Sequence, residues 1–172
     1  KAWPDLSLLP VHRLDANTTG ILLLAKSPHA ARLFQQEFEH QRVQKWYLAK
    51  VRGVPFKDSF EIHLPIAQTP SAGGARRLSK TGRMSHTQVR VIQRGQNDTT
   101  LLKISPRTGR TNQLRLHLTS IGHPIEGDRA YATASICEQP MTLPDNSLCL
   151  HAHSIAFIHP LTKQKFEIEA PP

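Results

Sequence analysis

Cysteine is scarce in this chain: its 172 residues include two, Cys137 and Cys149. Two are too few for a disulfide scaffold, so a reduced compartment, the cytoplasm, is the simpler reading. Long apolar runs are also missing. No stretch approaches the roughly 18 apolar residues of a membrane-spanning helix, so no transmembrane helix is expected. Aromatic residues are few, at 6% of the chain with two Trp and two Tyr, so any stacking on a flat ligand must rest on very few rings. Acidic residues are outnumbered, 13 against 22 Lys and Arg, which leaves a formal net charge of +9. A surplus of that size favours a polyanionic partner, either nucleic acid or an anionic membrane surface. No Walker loop, dinucleotide fingerprint or Ser-His-Asp order occurs. A basic ribonuclease would want a histidine pair or an acidic metal cluster, and no clear spacing for either stands out.

The length suits one domain, residues 1–172, with a real core. Gly20 to Ala25 is a continuous apolar run of strand length. Ser27-Pro28 predicts a helix start, with Ser as N-cap and Pro at the first position, and the helix should reach about His40 with Ala30, Phe34 and Phe38 as its buried stripe. Val43 to Val51 alternates, so Lys45, Tyr47 and Ala49 share one face and Trp46 lies on the other, where it is expected in the core. Phe60 to Ile66 can form a short strand. Ala72 to Arg83 is a basic loop containing Arg76, Arg77, Lys80 and Arg83; it is either a solvated loop or a contact for phosphates. Thr87 to Gln93 and Thr99 to Ile104 read as a hairpin around Gly95 to Asp98. Thr111 can cap a helix from Asn112 to Ile121, with Leu114, Leu118 and Ile121 on its core face and Gly122 as its stop. Arg115, about 100° round from Leu114, falls on the border of that face, and Arg110 precedes the helix start, where a phosphate can bind. Ala130 to Ser147 looks irregular, and His153 to His159 with Lys165 to Glu169 read as closing strands. Cys149, His151 and His153 have ligand chemistry but no fourth partner nearby, so a structural role is preferred to a metal site. Strands interrupted by two helices indicate an α+β fold with a mostly antiparallel mixed sheet.

The stretch that organises the chain is Val11-His12-Arg13-Leu14-Asp15-Ala16-Asn17-Thr18-Thr19-Gly20, a polar turn between apolar runs. Its carboxylate, Asp15, is open to two readings. It can be a turn aspartate that binds backbone N–H groups, or a reactive group held in a cleft by the elements on either side.

Three segments favour the second reading. His12-Arg13-Leu14-Asp15-x-x-Thr18-Thr19-Gly20 resembles the H-R-L-D-x-x-T-S-G signature of the RluA-type pseudouridine synthases, with Thr19 where serine is usual. Arg107-Thr108-Gly109-Arg110-Thr111-Asn112-Gln113-Leu114-Arg115-Leu116-His117 is similar to the family's R-T-G-R-T-H-Q-I-R-x-H, with Asn112 in place of His and Leu114 in place of Ile. Lys45-Trp46-Tyr47-Leu48-Ala49 resembles K-x-Y-x-A. The three come in the family's order and spacing, across residues 11 to 131. Lys1-Ala2-Trp3-Pro4 reads as neither an initiator segment nor a tag. Members of the family usually carry an earlier strand, so a domain incomplete at its N-terminus is expected.

The resemblance implies a curved, mostly antiparallel mixed sheet of the pseudouridine synthase fold, with RNA in a basic cleft. It implies isomerisation of uridine in ribosomal or transfer RNA, by a monomer that needs no cofactor and no metal. Asp15 would act as nucleophile or as base at the sugar. Arg115 would pair with it. Tyr47 would stack on the base and assist loss of the C5 proton, unless it is simply a core tyrosine. Arg13 would fill the gap left by a flipped base, and Arg107, Arg110, Arg76, Arg77 and Lys80 would contact phosphates. The rival reading is a non-catalytic RNA-binding module. Asp15 argues against it, because a carboxylate repels phosphate.

Overall fold

A computed structural model of the chain describes residues 8–71, 75–132 and 147–172. Its elements, in order, are β1 (Leu9–Pro10), β2 (Thr19–Gly20), β3 (Leu24–Ala25), α1 (Pro28–Glu39), β4 (Gln44–Arg52), β5 (Ser59–Ile66), β6 (Arg83–Arg94), β7 (Thr99–Pro106), α2 (Gln113–Ser120), β8 (Leu150–Ile158) and β9 (Lys165–Glu169). Among the described residues they form a small β1–β3 pair and a seven-stranded sheet in the order β2-β8-β4-β7-β6-β5, with β9 also paired to β8. The β2–β8 pairing is parallel and the others are antiparallel. The architecture is therefore the expected α+β with a mostly antiparallel mixed sheet.

Local chemistry accounts for most of these elements. The Ser27 hydroxyl accepts from the Ala30 N–H at 3.2 Å, and Pro28 begins α1 where its missing N–H costs nothing. The helix lays Ala30, Ala31, Phe34 and Phe38 against Val11 and Ala25, and its two phenylalanines also reach Val43, Ile155 and Phe157. The β6–β7 hairpin closes through Asn97 and Asp98, both at positive φ, as such tight loops require. Alternation in β4 to β7 turns Ala49, Val51, Ile62, Val89, Leu102 and Ile104 inward. There Leu114, Leu118 and Ile125 complete the main core.

The structure corrects several expectations. The run from Gly20 to Ala25 is not one strand. Thr19–Gly20 pairs with His151 and Ala152, and Leu24–Ala25 then changes partner to Leu9–Pro10. Gly20 makes this possible: its φ is +102°, and a Cβ would run into the Ala152 carbonyl. Trp46 is half-buried on the sheet face turned away from the main core, with the Lys103 ammonium 5.8 Å from its ring centroid. Thr111 does not cap α2; Asn112 holds that place. Ile121 is 37% exposed, because the helix ends at Ser120 and Gly122, at φ +84°, turns the chain away. The closing strand β8 begins three residues earlier than expected. Most of Ala130 to Ser147 (residues 133–146), and residues 72–74 of the basic loop, lie outside the described residues.

Candidate active site

The site is assembled where the Arg13–Thr18 turn meets the loop between β7 and α2. That loop is held from beneath by one buried side chain. Gln113, 3% exposed, accepts from the Thr108 hydroxyl at 2.7 Å and the Arg110 N–H at 3.1 Å, and donates to the His86 carbonyl and the Thr87 hydroxyl, both at 3.0 Å. Four bonds satisfy the whole amide. They also force a tight entry into α2, in which Asn112 adopts φ 56°, ψ 21°. This left-handed conformation turns the Asn112 N–H out of the helix. It donates to Asp15 Oδ1 at 3.2 Å.

The cleft above this contact has a volume of about 370 Å³ and is lined by His12, Arg13, Asp15, Lys45, Tyr47 and Arg110, among others. Burial pushes the Asp15 carboxyl above its usual range. The Asn112 N–H opposes that shift, as do the charges of Arg115 and Arg13. The Tyr47 phenol is pushed up to about 12 by burial and then by the charge of Asp15. Burial lowers the Lys45 ammonium. His12, lowered to about 4 mainly by burial, is neutral at physiological pH. It braces the turn: Nε2 accepts from the Leu23 N–H at 2.9 Å, and the ring stacks on Phe38 with centroids 4.7 Å apart.

Arg115 is not paired with Asp15, contrary to expectation. Its Nε and NH2 donate to the two oxygens of Asp128 at 2.8 and 2.7 Å. The border position on α2 is right. However, the turn after Ile125 brings in a second carboxylate that captures the guanidinium first.

Comparison with known proteins identifies the family. A family model described as RNA pseudouridylate synthase matches residues 5–120. The chain is 38% identical over 164 residues to the dual-specificity RNA pseudouridine synthase RluA of Pasteurella multocida, covering 95% of this chain and 73% of that one. It is 40% identical over 171 residues to the ribosomal large subunit pseudouridine synthase C of the same organism, covering 98% of this chain and 52% of that one. The chain belongs to the RNA pseudouridine synthase family. The solved structure of human RNA pseudouridylate synthase domain containing 1 superposes on this synthase domain with a TM-score of 0.82 at 27% identity, over 99% of this chain and 70% of that one. The chain spans about half the length of most of the curated relatives that it matches, as the 52% coverage illustrates.

The other expected residues of the synthase domain divide into two groups. Arg13 and Arg110 line the cleft. Arg110 Nε is buried and has no hydrogen-bond partner. Arg107, Arg76, Arg77 and Lys80 lie outside the cleft lining. Arg107 Nε donates to Gln88 at 2.9 Å. Arg76 NH1 is engaged by the carbonyls of Ala67 and Gln68, so it braces its own loop. Arg77 and Lys80 are exposed. His151 and His153 bond Thr19 and the Ala170 carbonyl, which gives them structural partners. Sequence reasoning assigned no task to Gln113, His12 or Asp128. The first two lie inside the matched segments, where their burial was the missing clue. Asp128 had no local signal beyond its turn.

Proposed function

We propose that this chain converts uridine to pseudouridine in ribosomal or transfer RNA, as a monomer without a cofactor, with Asp15 as its catalytic carboxylate. In that reaction the bond from N1 to C1′ breaks, the uracil turns, and C5 bonds to C1′ while C5 loses its proton and N1 gains one. One observation carries the reading: the carboxylate at the centre of a basic cleft is kept above its usual pKa by burial and touches a backbone N–H rather than a salt-bridge partner. A carboxylate so placed is poorly solvated and ready to attack carbon or take a proton. A surface built only to hold phosphate gains nothing from it.

Tyr47 supplies a ring beside Asp15 on which a flipped base can stack. With its phenol near 12 it keeps its proton in the resting site. Once Asp15 is engaged with substrate, one of the two causes of that elevation is removed, and the hydroxyl becomes better able to handle the C5 proton. Arg13, exposed at the cleft edge, can take the place of the flipped base, and Arg110 can meet a phosphate. Arg107, Arg77 and Lys80 add positive charge outside the cleft. Arg115 serves as a positioning residue.

Asp15→Asn tests the proposal. With ribosomal and transfer RNA carrying 5-tritiated uridine, the variant should release no tritium and form no pseudouridine, while its RNA affinity stays within a few-fold of wild type. Full turnover in Asp15→Asn would remove the carboxylate from the mechanism.

A further inference from the structure

Away from the cleft, β5 and β6 bring three ligand-bearing side chains together. Glu61 and His63 are two apart on β5, and His63 lies directly opposite His86 on β6. Their neighbours Ile62 and Thr87 point into the core, so the three side chains share the outer face. His63 Nε2 is 2.9 Å from Glu61 Oε2, and His86 Nε2 is 3.2 Å from the same oxygen. One ligand atom from each residue lies within 4.8 Å of the other two.

We propose that Glu61, His63 and His86 bind a divalent transition-metal ion of the zinc type, with water in the remaining position. Four observations support this. Metal–ligand bonds of about 2.0–2.1 Å in a tetrahedron put ligand atoms roughly 3.3–3.4 Å apart, so the two measured pairs need to open by only a few tenths of an ångström. His86 Nε2 is shielded from solvent yet makes no hydrogen bond, so it is available as a donor to a metal. The other Glu61 oxygen, Oε1, accepts from Gln88 Nε2 at 2.8 Å, and Arg107 Nε in turn fixes Gln88 Oε1 at 2.9 Å. That is the outer support that orients a metal-binding carboxylate. Finally, His86 sits on a fixed backbone, its carbonyl accepting from the Arg107 N–H and from Gln113 Nε2, both at 3.0 Å, and its N–H donating to Thr108 Oγ1 at 3.0 Å.

Two imidazoles and one carboxylate favour Zn²⁺, Co²⁺ or Ni²⁺ over Mg²⁺ or Ca²⁺, which prefer oxygen. The two imidazole rings now stack at 4.0 Å between centroids, so binding must swing their ring nitrogens together, a rotation that the exposed His63 is free to make. None of the three residues lines the cleft, so the ion would be structural. It would tie β5, at the end of the sheet, to β6, the strand whose His86 carbonyl accepts from both ends of the Arg107–Gln113 loop.

The test uses the full chain freed of any affinity tag. Co²⁺ is added and its visible absorption recorded, and Zn²⁺ is added and the heat and melting temperature followed. One equivalent should bind, give the intense absorption of a tetrahedral site, and raise the melting temperature. Glu61→Gln and His63→Ala should each weaken binding at least tenfold and abolish the thermal shift; both positions are exposed, so folding should survive. His29→Ala, a control on an exposed histidine elsewhere, should bind as wild type does. Failure to bind, or binding that is equally strong in His63→Ala, would overturn the proposal.

Discussion

Asp128→Asn tests how the site is held. Asp128 is 1% exposed. Its oxygens take Nε and NH2 of Arg115 at 2.8 and 2.7 Å, and Oδ1 also accepts from the N–H groups of Ala130 and Tyr131 at 3.1 and 3.2 Å. The Arg115 side chain is 12% exposed and lies over the Tyr131 ring, 4.9 Å from its centroid. An amide keeps one acceptor oxygen but turns an NH2 toward the guanidinium, so one arm of the fork meets a donor and the charge pairing is lost. Removing one member of a buried pair costs about 3–5 kcal/mol, and the residual exposure of Arg115 places the expected loss near the lower end. That is a large share of a typical stability of about 5–15 kcal/mol. In a urea melt with a slope of about 1–3 kcal/mol per molar, the midpoint should fall by roughly 1 M or more. The double variant Arg115→Met/Asp128→Asn should lose less than the sum of the two single variants, because each single leaves the other group unpaired. A loss within about 0.5 kcal/mol for Asp128→Asn would refute the reasoning, since surface substitutions do no more than that.

Two further outcomes follow from the cleft. Tyr47→Phe should bind RNA within a few-fold of wild type and lose turnover, whereas Tyr47→Ala should also lose about 1–3 kcal/mol of binding; equal turnover in Tyr47→Phe would leave the hydroxyl no chemical part. The raised pKa of Asp15 means that the folded chain holds this proton to higher pH than the unfolded chain does, so this group's contribution to stability falls as pH rises from about 3.9 through the folded value. Asp15→Asn should therefore melt higher than wild type at neutral pH and lose that advantage in acid, and identical melting curves at both extremes would contradict the burial of a charged carboxylate.

The readable parts of the fold were those with local causes. Ser27-Pro28 with Phe34 and Phe38 settles α1, and alternation settles β4, β6 and β7. Tyr47 faces inward because its strand alternates, and β4 carries it to the cleft despite a bulge between Trp46 and Tyr47. The failures that bear on the sheet and the site involve partners that the local pattern does not show. The apolar run after Thr19 gives no sign that it changes sheets between Ile21 and Leu24. Arg115 was rightly placed on the helix border. Its carboxylate, however, comes from a turn 13 residues further on, which shows no pattern beyond Glu-Gly-Asp-Arg. Glu61, His63 and His86 attract no notice in the sequence, because their convergence depends on the β5–β6 register.

Asn112 explains how a displaced arginine can still serve the carboxylate. Left-handed backbone is unfavourable for most side chains, and Asn and His are among the residues that adopt it most readily. The departure from the resembled motif at this position therefore keeps what the backbone requires. With the conformation in place, the Asn112 N–H reaches Asp15, while its side chain donates to the Tyr131 hydroxyl at 3.1 Å and accepts from Arg115 NH1 at 3.5 Å. Asp128 anchors both of those partners, through the Arg115 guanidinium and the Tyr131 N–H. Arg115 thus acts on Asp15 at one remove, by holding Asn112 in position and by its charge, which still opposes protonation of Asp15. A direct bidentate pair would hold the carboxylate ionised but occupy both of its oxygens. With the guanidinium held on Asp128, Asp15 keeps one backbone hydrogen bond and two positive charges that oppose its burial, and its second oxygen stays available for the proposed chemistry.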